Sequence, residues 1–315
     1  MMELGVFREV ILDELHRSIP PGYTMEVIED YQGNDQPLTG IIFTREGKEH
    51  GPVIYVEELY KDYLDGIPPE KVVRDRMYEV LEEYQESRDV PDINCDFVLQ
   101  RVYFKAASEE RTRQRFRNVP TVHVPGVKGI ILYPCMDVVV GGRKGNATIT
   151  YENIEQDAIP VDELLSAARD NTNKRMEILP LKKKLERGLP PEVTELIESP
   201  FLVTNDKVDE QSGGMGGASI FGAQEVLEQL SGSYYIIPTS IYECLMLPVD
   251  YEPKVSRLQE LLRDVNSGGI KDPITGESFL DENAVLSDYI YLCDNGMIST
   301  VEPEAVAEVC REAEM

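Results

Sequence analysis

The chain has 315 residues, of which 42% are hydrophobic and 28% are charged. This composition predicts a globular protein, and the length, above the roughly 100–200 residues of one domain, predicts one large domain or two packed ones. The 58 acidic and 31 basic residues give a formal net charge of −27. Such a field repels phosphates, so we expect no direct binding to DNA or RNA. No run approaches the roughly 18 consecutive apolar residues of a membrane span, and the acidic, amphipathic N-terminus argues against a secretory signal.

The cysteines and histidines predict neither disulfides nor a metal site. The five cysteines are an odd number and form no CxxC pair; they are Cys95, Cys135, Cys244, Cys293 and Cys310. We interpret them as free thiols in a reducing cytoplasm. The three histidines are isolated in the sequence, and a zinc site needs about four converging ligands. We therefore predict no metal and no cofactor.

The sequence predicts an N-terminal module over residues 1–88. It consists of a helix, a three-strand meander and a helix pair. Its first helix, Leu4–Leu15, has Val6, Val10, Ile11 and Leu15 near one face. Strands are predicted at Tyr23–Ile28, Leu38–Thr44 and Val53–Val56, and helices from Glu57 and over Lys71–Tyr84. The polar stretch 86–94 is a candidate linker.

The larger C-terminal domain is predicted over residues 95–315. Strands are expected at Phe97–Phe104 and in a hairpin of Lys128–Val140 with Asn146–Tyr151, whose turn GGRKGN favours close pairing. Helices are expected at Val161–Asn171, Arg175–Leu189, Val255–Val265 and Pro303–Glu312, with a short turn at PPEV near 190. Two further strands, Ala284–Cys293 and Met297–Val301, flank the turn residues DNG. The fold class is α+β, with mixed, mainly antiparallel sheets, packed amphipathic helices and recurring strand-strand-helix units.

A basic island interrupts this acidic chain at ERTRQRFRNVP. Its arginines recur every second residue, at Arg111, Arg113, Arg115 and Arg117. We favour pairing of these arginines with acids of the same protein, such as the neighbouring Glu109 and Glu110. An anion site is the alternative.

A glycine-rich stretch follows the apolar strand that begins near Leu202. It has four glycines in five positions, Gly213, Gly214, Gly216 and Gly217, ahead of a helix predicted over Ser219–Leu230. The stretch matches neither GxxxxGK[ST] nor GxGxxG. We favour a turn whose glycines allow positive φ and close backbone approach. A small-ligand loop that includes Ser219 at the start of the helix remains the alternative.

The candidate catalytic residues are isolated polar residues in or near apolar strands. Glu243 lies in YECLMLP and Asp288 in LSDYIYL, and Asn205 joins them if the strands pair. A buried carboxylate pair would mark a site. Solvent-facing acids at a sheet edge are the simpler interpretation. GxSxG is absent, so no Ser/His/Asp set can be argued.

Three long segments carry a family resemblance. They are LTGIIF to GPVIYVEELYKDYLDG, VTND to YYIIPTSIYECLMLP, and VLSDYIYLCDNG. Together they resemble the bacterial domain-of-unknown-function 5688 family, in which an NGA-type turn, a YILPSSxHE strand pair and an LSDxVYxYD segment correspond to Gly217-Ala218, Tyr235–Glu243 and Leu286–Asp294. The chain has Tyr242 where the family usually has histidine, so a general base at that position would be missing here. The resemblance implies no function.

We predict a non-enzymatic cytoplasmic binding or interaction protein that acts through its acidic surface and its glycine loop. One alternative is an enzyme with a carboxylate-based or metal-dependent site near Glu243 and Asp288. Another is a nucleic acid mimic that docks a basic partner, although the acids are spread along the chain rather than concentrated.

Overall fold

The computed structural model describes residues 2–32, 34–46, 51–86, 94–140, 143–186, 190, 194, 199–207, 215–269, 280 and 282–302. It has an α+β fold with three sheets of antiparallel strands. The chain divides into two compact units: Met1–Pro91 with Val139–Lys144, and Asp92–Val138 with Gly145–Met315.

The first unit is a three-stranded sheet with helices. Its elements are α1 Leu4–Ser18, β1 Tyr23–Gln32, β2 Gln36–Arg45, β3 Val53–Tyr55, α2 Val56–Leu64 and α3 Pro69–Glu86. The strand order is β1-β2-β3, and both pairings are antiparallel. The predicted helix, meander and helix pair are confirmed.

The face that α1 buries includes Ile11 and Leu15 of the predicted face but not Val6 and Val10. Phe7, Ile11 and Leu15 are fully buried, whereas Val6 and Val10 are 53% and 37% exposed. Both sets recur at helical spacing, so periodicity alone does not choose between them. The face that includes phenylalanine removes more apolar area from water when it is buried.

The second unit contains two sheets and several short helices. Its first elements are α4 Cys95–Arg101, β4 Tyr103–Ser108, β5 Val122–His123, β6 Ile130–Val140, β7 Arg143–Thr148, α5 Tyr151–Gln156 and α6 Val161–Arg175. They are followed by β8 Met176–Pro180, α7 Leu181–Leu185, β9 Leu202–Asp206, α8 Gln224–Glu228, β10 Tyr234–Pro238 and β11 Cys244–Pro248. The last are α9 Val255–Asn266, β12 Tyr291–Asp294 and β13 Met297–Thr300.

The two sheets of this unit have different topologies. The larger has the order β13-β12-β10-β11-β9-β8, and the smaller has β6 at its centre, paired with β4, β5 and β7. A single hydrophobic cluster includes residues of both sheets and of α6, among them Tyr103, Ile130, Leu164, Ile236 and Tyr291. Five predictions are confirmed here: the 128–151 hairpin, the strand pair YYIIP and YECLMLP (of which the second begins only at Cys244), the helix at Val161, the helix at Val255 and the pairing across Asp294–Gly296.

Two apolar stretches were assigned the wrong element. Phe97–Phe104 was predicted as one strand, but residues 95–101 are α4, because the Asn94 side chain caps the helix by accepting a hydrogen bond from the backbone N–H of Phe97 at 3.0 Å. Arg175–Leu189 was predicted as one amphipathic helix. Residues 176–180 are instead β8, which pairs along its whole length with β9 before α7 begins.

Two further segments contain less regular secondary structure than was predicted. The helix predicted over Ser219–Leu230 is a 3-10 turn at Gly217–Gly222 followed by the short α8. The strand predicted over Ala284–Cys293 begins only at Tyr291. Val285, Leu286 and Ile290 are almost completely buried without belonging to a strand. Their apolar character therefore reflects burial rather than strand pairing.

Two predicted elements lie outside the described residues: the PPEV turn, apart from positions 190 and 194, and the helix at Pro303–Glu312. Among the helices that the structure does describe, none combines the length and the apolar character needed to cross a membrane.

Candidate functional site

Asp288 lines a cavity of about 230 Å³ in the second unit. Four stretches form its wall: the end of β4 with the turn after it, Gly129 directly before β6, the end of α9, and the irregular segment before β12. The lining residues are Ser108, Glu110, Arg111, Gly129, Arg263, Ser287, Asp288 and Tyr289. The wall therefore carries two guanidinium groups and two carboxylates.

Asp288 is held in a fixed orientation within this cavity. Its carboxylate lies 3.5 Å from the Arg111 guanidinium. Asn266, at the end of α9, donates a hydrogen bond to Asp288 Oδ1 at 2.7 Å and another to the carbonyl oxygen of Ser287 at 3.0 Å. A half-exposed ion pair contributes only about 0–1 kcal/mol to stability. Its main effect here is to position two opposite charges on the cavity wall.

Three other polar groups of the cavity wall have no partner among the described residues. Arg263 and Glu110 are exposed and form no ion pair or hydrogen bond with them. Ser108 is only 4% exposed, and its hydroxyl likewise has no hydrogen-bond partner in the described part of the chain. The Ser108 oxygen is not among the fully buried side-chain atoms that lack a partner, so it is open to the cavity, where a ligand or water can bond to it.

The hydroxyl of Ser287 is already engaged within the protein. It lies 2.6 Å from the Tyr291 hydroxyl, which donates to the carbonyl oxygen of Lys128 at 2.7 Å. The backbone N–H of Tyr289 donates to Ser287 Oγ at 3.1 Å. Burial raises the pKa of Tyr291, so its phenol stays neutral. This network fixes the 287–291 segment.

Glu243 and Asn205 belong to a different polar cluster. β11 pairs with β9 at Leu245–Val203 and Met246–Leu202, and beyond this ladder the Thr204 hydroxyl bonds to the backbone of Cys244. The Asn205 side chain accepts a hydrogen bond from Lys184 Nζ at 2.7 Å and donates to Glu177 at 2.8 Å.

The environment of Glu243 differs from that of Asp288. Burial raises the pKa of Glu243 above its ordinary value, and the nearby charge of Lys184 partly opposes this. Neither Glu243 nor Asn205 lines the Asp288 cavity. Lys184 thus links two of the three candidate residues, because it bonds to Asn205 and its charge acts on Glu243. The third, Asp288, has Arg111 and Asn266 as its partners.

The described residues of the glycine stretch pack against the protein interior. Gly216 has φ +77°, and a Cβ on Gly217 would lie 2.4 Å from the carbonyl oxygen of Thr204. The Ser219 side chain is fully buried and donates to the carbonyl oxygen of Met215 at 2.9 Å. Gly213 and Gly214 lie outside the described residues. The structure therefore requires glycine at Gly216 because of its positive φ and at Gly217 because of its close approach to the backbone. These are the two properties that the favoured interpretation of the sequence named.

Arg175 is the centre of a polar network that sequence patterns do not reveal. Its guanidinium hydrogen-bonds both carboxylate oxygens of Asp206 and lies 2.7 Å from Asp137. It also stacks over the Tyr103 ring at 4.1 Å. Burial lowers the pKa of Arg175, but hydrogen bonds and charge from Asp206 and Asp137 more than offset this, so the pKa lies above its ordinary value. The network joins the end of α6 to both sheets of the unit.

The basic island forms turns rather than a strand. Arg111 pairs with Asp288, so pairing with an acid of the same protein is confirmed for this arginine, although the acid is distant in sequence. Arg115 lies 5.0 Å from the centre of the Phe116 ring and 5.8 Å from that of Tyr133, in cation–π arrangements.

The family model for a family of unknown function, DUF5688, matches residues 5–294. The chain belongs to this family. No protein in the curated set and no solved structure matches it. All residues of the Asp288 cavity fall inside the range that matches the DUF5688 model.

The segment that carries the DUF5688 resemblance most clearly ends at Glu243. Tyr242, where the resemblance leads one to expect histidine, is 55% exposed, and its backbone N–H bonds to Ser240 Oγ at 3.1 Å. It lies at the connection between β10 and β11. This position belongs neither to the Asp288 cavity nor to the Arg175 network.

Three of the residues that line this cavity stand out in the sequence: Asp288 as a polar residue among apolar ones, and Glu110 and Arg111 in the basic island. Ser108 and Arg263 carry no local signal, because each is an ordinary polar residue near the end of its element. Their relation to Asp288 is created only when β4, α9 and the 287–289 segment come together.

Proposed function

We propose that this DUF5688 protein is a binding protein and that the Asp288 cavity holds a small polar ligand with both an anionic and a cationic group. The observation that carries the proposal is the wall of the cavity. Two arginines and two carboxylates share it, and three of its polar groups have no partner among the described residues.

The size of the cavity restricts the ligand. Its volume of about 230 Å³ lies below the roughly 300–1,000 Å³ of pockets for drug-sized ligands. A molecule the size of a free amino acid fits this volume. A ligand carboxylate would bond to Arg263 and the Ser108 hydroxyl, and a ligand ammonium group would lie near Glu110 and Asp288.

Thermal unfolding with pooled free α-amino acids tests the proposal. A ligand at 100 times its dissociation constant stabilises the folded state by about 2.7 kcal/mol, which raises the melting temperature. We expect at least one pool to do so, and Arg263→Gln to abolish the effect. Arg257→Gln, on the same helix but outside the cavity wall, is the matched control. Absence of a shift with every pool, or a full shift in Arg263→Gln, would overturn the proposal.

A second function, docking of a basic partner, is supported by α1. Its outward face carries the exposed Val6 and Val10, and Glu9 and Asp13 are exposed beside them. An apolar centre with a charged rim is typical of protein interfaces, and the acidic rim favours a basic partner. The net charge of −27 acts in the same direction.

The docking proposal is tested by binding of a lysine-rich peptide at low and high salt. We expect salt-sensitive binding that Val10→Ser weakens through loss of apolar contact. Val27→Ser, the same change at an exposed valine outside α1, is the control. Binding that is unaffected by Val10→Ser would remove α1 from the interface.

The remaining expectations stay proposals with different support. The described cysteines are free, which supports a reducing compartment such as a bacterial cytoplasm. An enzyme built on Glu243 and Asp288 together has less support, because these residues have different partners and only Asp288 lines the cavity.

A nucleic acid mimic would need rows of carboxylates at the spacing of duplex phosphates. We rank it below the docking of a basic protein.

A further inference from the structure

A second cavity, of about 320 Å³, lies at the ends of two helices in the second unit. Gln100 and Arg101 come from the last turn of α4, and Asn171, Lys174 and Arg175 from the last turns of α6. Asp137 of β6 completes the lining. None of these residues lines the Asp288 cavity.

The two helix ends are fastened together by one side chain. The Asn171 amide donates to the carbonyl oxygens of Leu99 and Val102, at 3.1 and 2.9 Å. These acceptors lie at the end of α4, where the helix leaves its last carbonyl groups without partners. Asn171 therefore holds the end of α4 against α6, and the cavity between them is a built feature of the fold.

Two cations of this cavity have no carboxylate partner. Arg101 and Lys174 form no ion pair with any residue that the structure describes. Arg101 stacks over the Phe97 ring at 3.9 Å and makes only a long bond of 3.4 Å to the Phe97 carbonyl. Lys174 has only a 3.4 Å contact with Asn171 Oδ1. Both side chains are exposed, so their charges are accessible to a ligand in the cavity.

The third cation does not compete for a ligand. Arg175 is bound by Asp137 and Asp206, and its side chain is only 12% exposed. Asp137 is likewise occupied, since it also accepts hydrogen bonds from the Tyr103 hydroxyl at 2.6 Å and from Asn146 at 2.9 Å. The charged groups of the cavity wall that remain available to a ligand are therefore those of Arg101 and Lys174, and the Gln100 amide lines the same cavity.

Helix dipoles explain only part of this arrangement. The C-terminus of a helix favours a cation, which accounts for one base at the end of α4 and one at the end of α6. It does not account for both bases facing the same cavity. Lys207 adds a further positive charge nearby, because its ammonium group donates to the Lys174 carbonyl at 3.1 Å.

We propose that this cavity binds the phosphate group of a small molecule. Arg101 would supply paired N–H donors, Lys174 a point charge, and Gln100 an amide N–H, which together match the several acceptor oxygens of a phosphate. The cavity is larger than one phosphate ion, so an uncharged part of the ligand would occupy the remainder. This site does not depend on the Asp288 cavity or on its ligand.

Titration calorimetry of the full chain with inorganic phosphate at low ionic strength tests the proposal. We expect saturable binding that Arg101→Gln and Lys174→Gln each weaken about tenfold or more. Lys254→Gln removes the same charge from an exposed position outside the cavity and should leave the affinity unchanged. Circular dichroism of each variant confirms that it is folded.

Three results would overturn the phosphate site. They are the absence of saturable binding, equal weakening by Lys254→Gln, and competition by acetate at the same concentration as phosphate. The second result would indicate a general charge effect, and the third a site for any anion. A phosphorylated sugar that binds more tightly than inorganic phosphate would support the additional space in the cavity.

Discussion

Gly217 packs against the backbone of Thr204 so closely that no side chain fits between them. A Cβ on Gly217 would lie 2.4 Å from the carbonyl oxygen of Thr204 and 2.5 Å from its hydroxyl. That hydroxyl accepts a hydrogen bond from the backbone N–H of Cys244 at 2.9 Å and lies 3.1 Å from the Cys244 carbonyl oxygen. The glycine thus allows the 3-10 turn at Gly217–Gly222 to pack directly against β9, next to the pairing of β9 with β11.

Substitution of this glycine should destabilise the protein. Because the contact in Gly217→Ala is to backbone, relief requires β9 or the turn to move, and overpacking of this kind costs about 1–3 kcal/mol. Urea unfolding measures the loss. Gly145→Ala is the control, since its Cβ would meet only Val138 at 3.9 Å. Equal stability of the Gly217→Ala and Gly145→Ala variants would contradict the packing.

Loss of Arg175 should be among the most damaging single changes. Arg175→Met keeps the length of the side chain but removes the guanidinium from Asp206, whose side chain is 5% exposed. Removing one partner of a buried pair costs about 3–5 kcal/mol. The control is Arg257→Met, in which the broken pair with Glu260 is largely exposed and worth less than about 1 kcal/mol. A loss below 1 kcal/mol in Arg175→Met would show that the network does not stabilise the fold.

The half-buried carboxyl of Glu243 should make stability depend on pH. Burial raises its folded pKa above the ordinary value of 4.5, so the folded state binds more protons than the unfolded state between these two values. Stability from this group is therefore lost as pH rises through that window. Glu243→Gln removes the effect, and its free energy of unfolding relative to the wild type should be higher at pH 7 than at pH 4.

Unfolding titrations at the two pH values provide the measurement for Glu243. Glu155→Gln is the control, because this carboxylate is exposed and has no hydrogen-bond partner among the described residues. It should change stability equally at both pH values. The same pH-independent difference for Glu243→Gln would contradict the burial of its carboxyl group.

The buried thiols should resist modification in the folded protein. Burial raises the pKa of Cys135 to about 11, which leaves about one thiolate in a thousand at pH 8. Burial also raises the pKa of Cys244, which is fully buried. Alkylation followed by peptide mass spectrometry should label both only after unfolding in urea. Half-buried Cys95 should react first among the described cysteines, and rapid native labelling of Cys244 would contradict its burial.

The sequence by itself determined those elements whose signals are local. Asn295 and Gly296 both adopt positive φ, 48° and 80°, as the DNG turn predicts for a two-residue hairpin connection. Apolar periodicity located α6 and α9, and alternation with turn residues located the meander of the first unit. Membership of the DUF5688 family was likewise readable from the motifs.

Tertiary structure decided where apolar segments pack and which polar residues meet. Met176–Pro180 becomes a strand because β9 offers it a full set of backbone partners, and pairing with a distant strand leaves no mark in the local sequence. Val285, Leu286 and Ile290 are apolar because they are buried, without belonging to a strand.

The Asp288 cavity is the clearest case of a site that the sequence contains but does not show. Arg111 and Asp288 are separated by more than half of the chain, yet their charged groups lie 3.5 Å apart. A lone aspartate has the same local pattern whether it faces solvent or lines a cavity. The difference arises from the docking of α9 and the turn after β4 around it, because only packing brings opposite charges from distant elements within reach of one ligand.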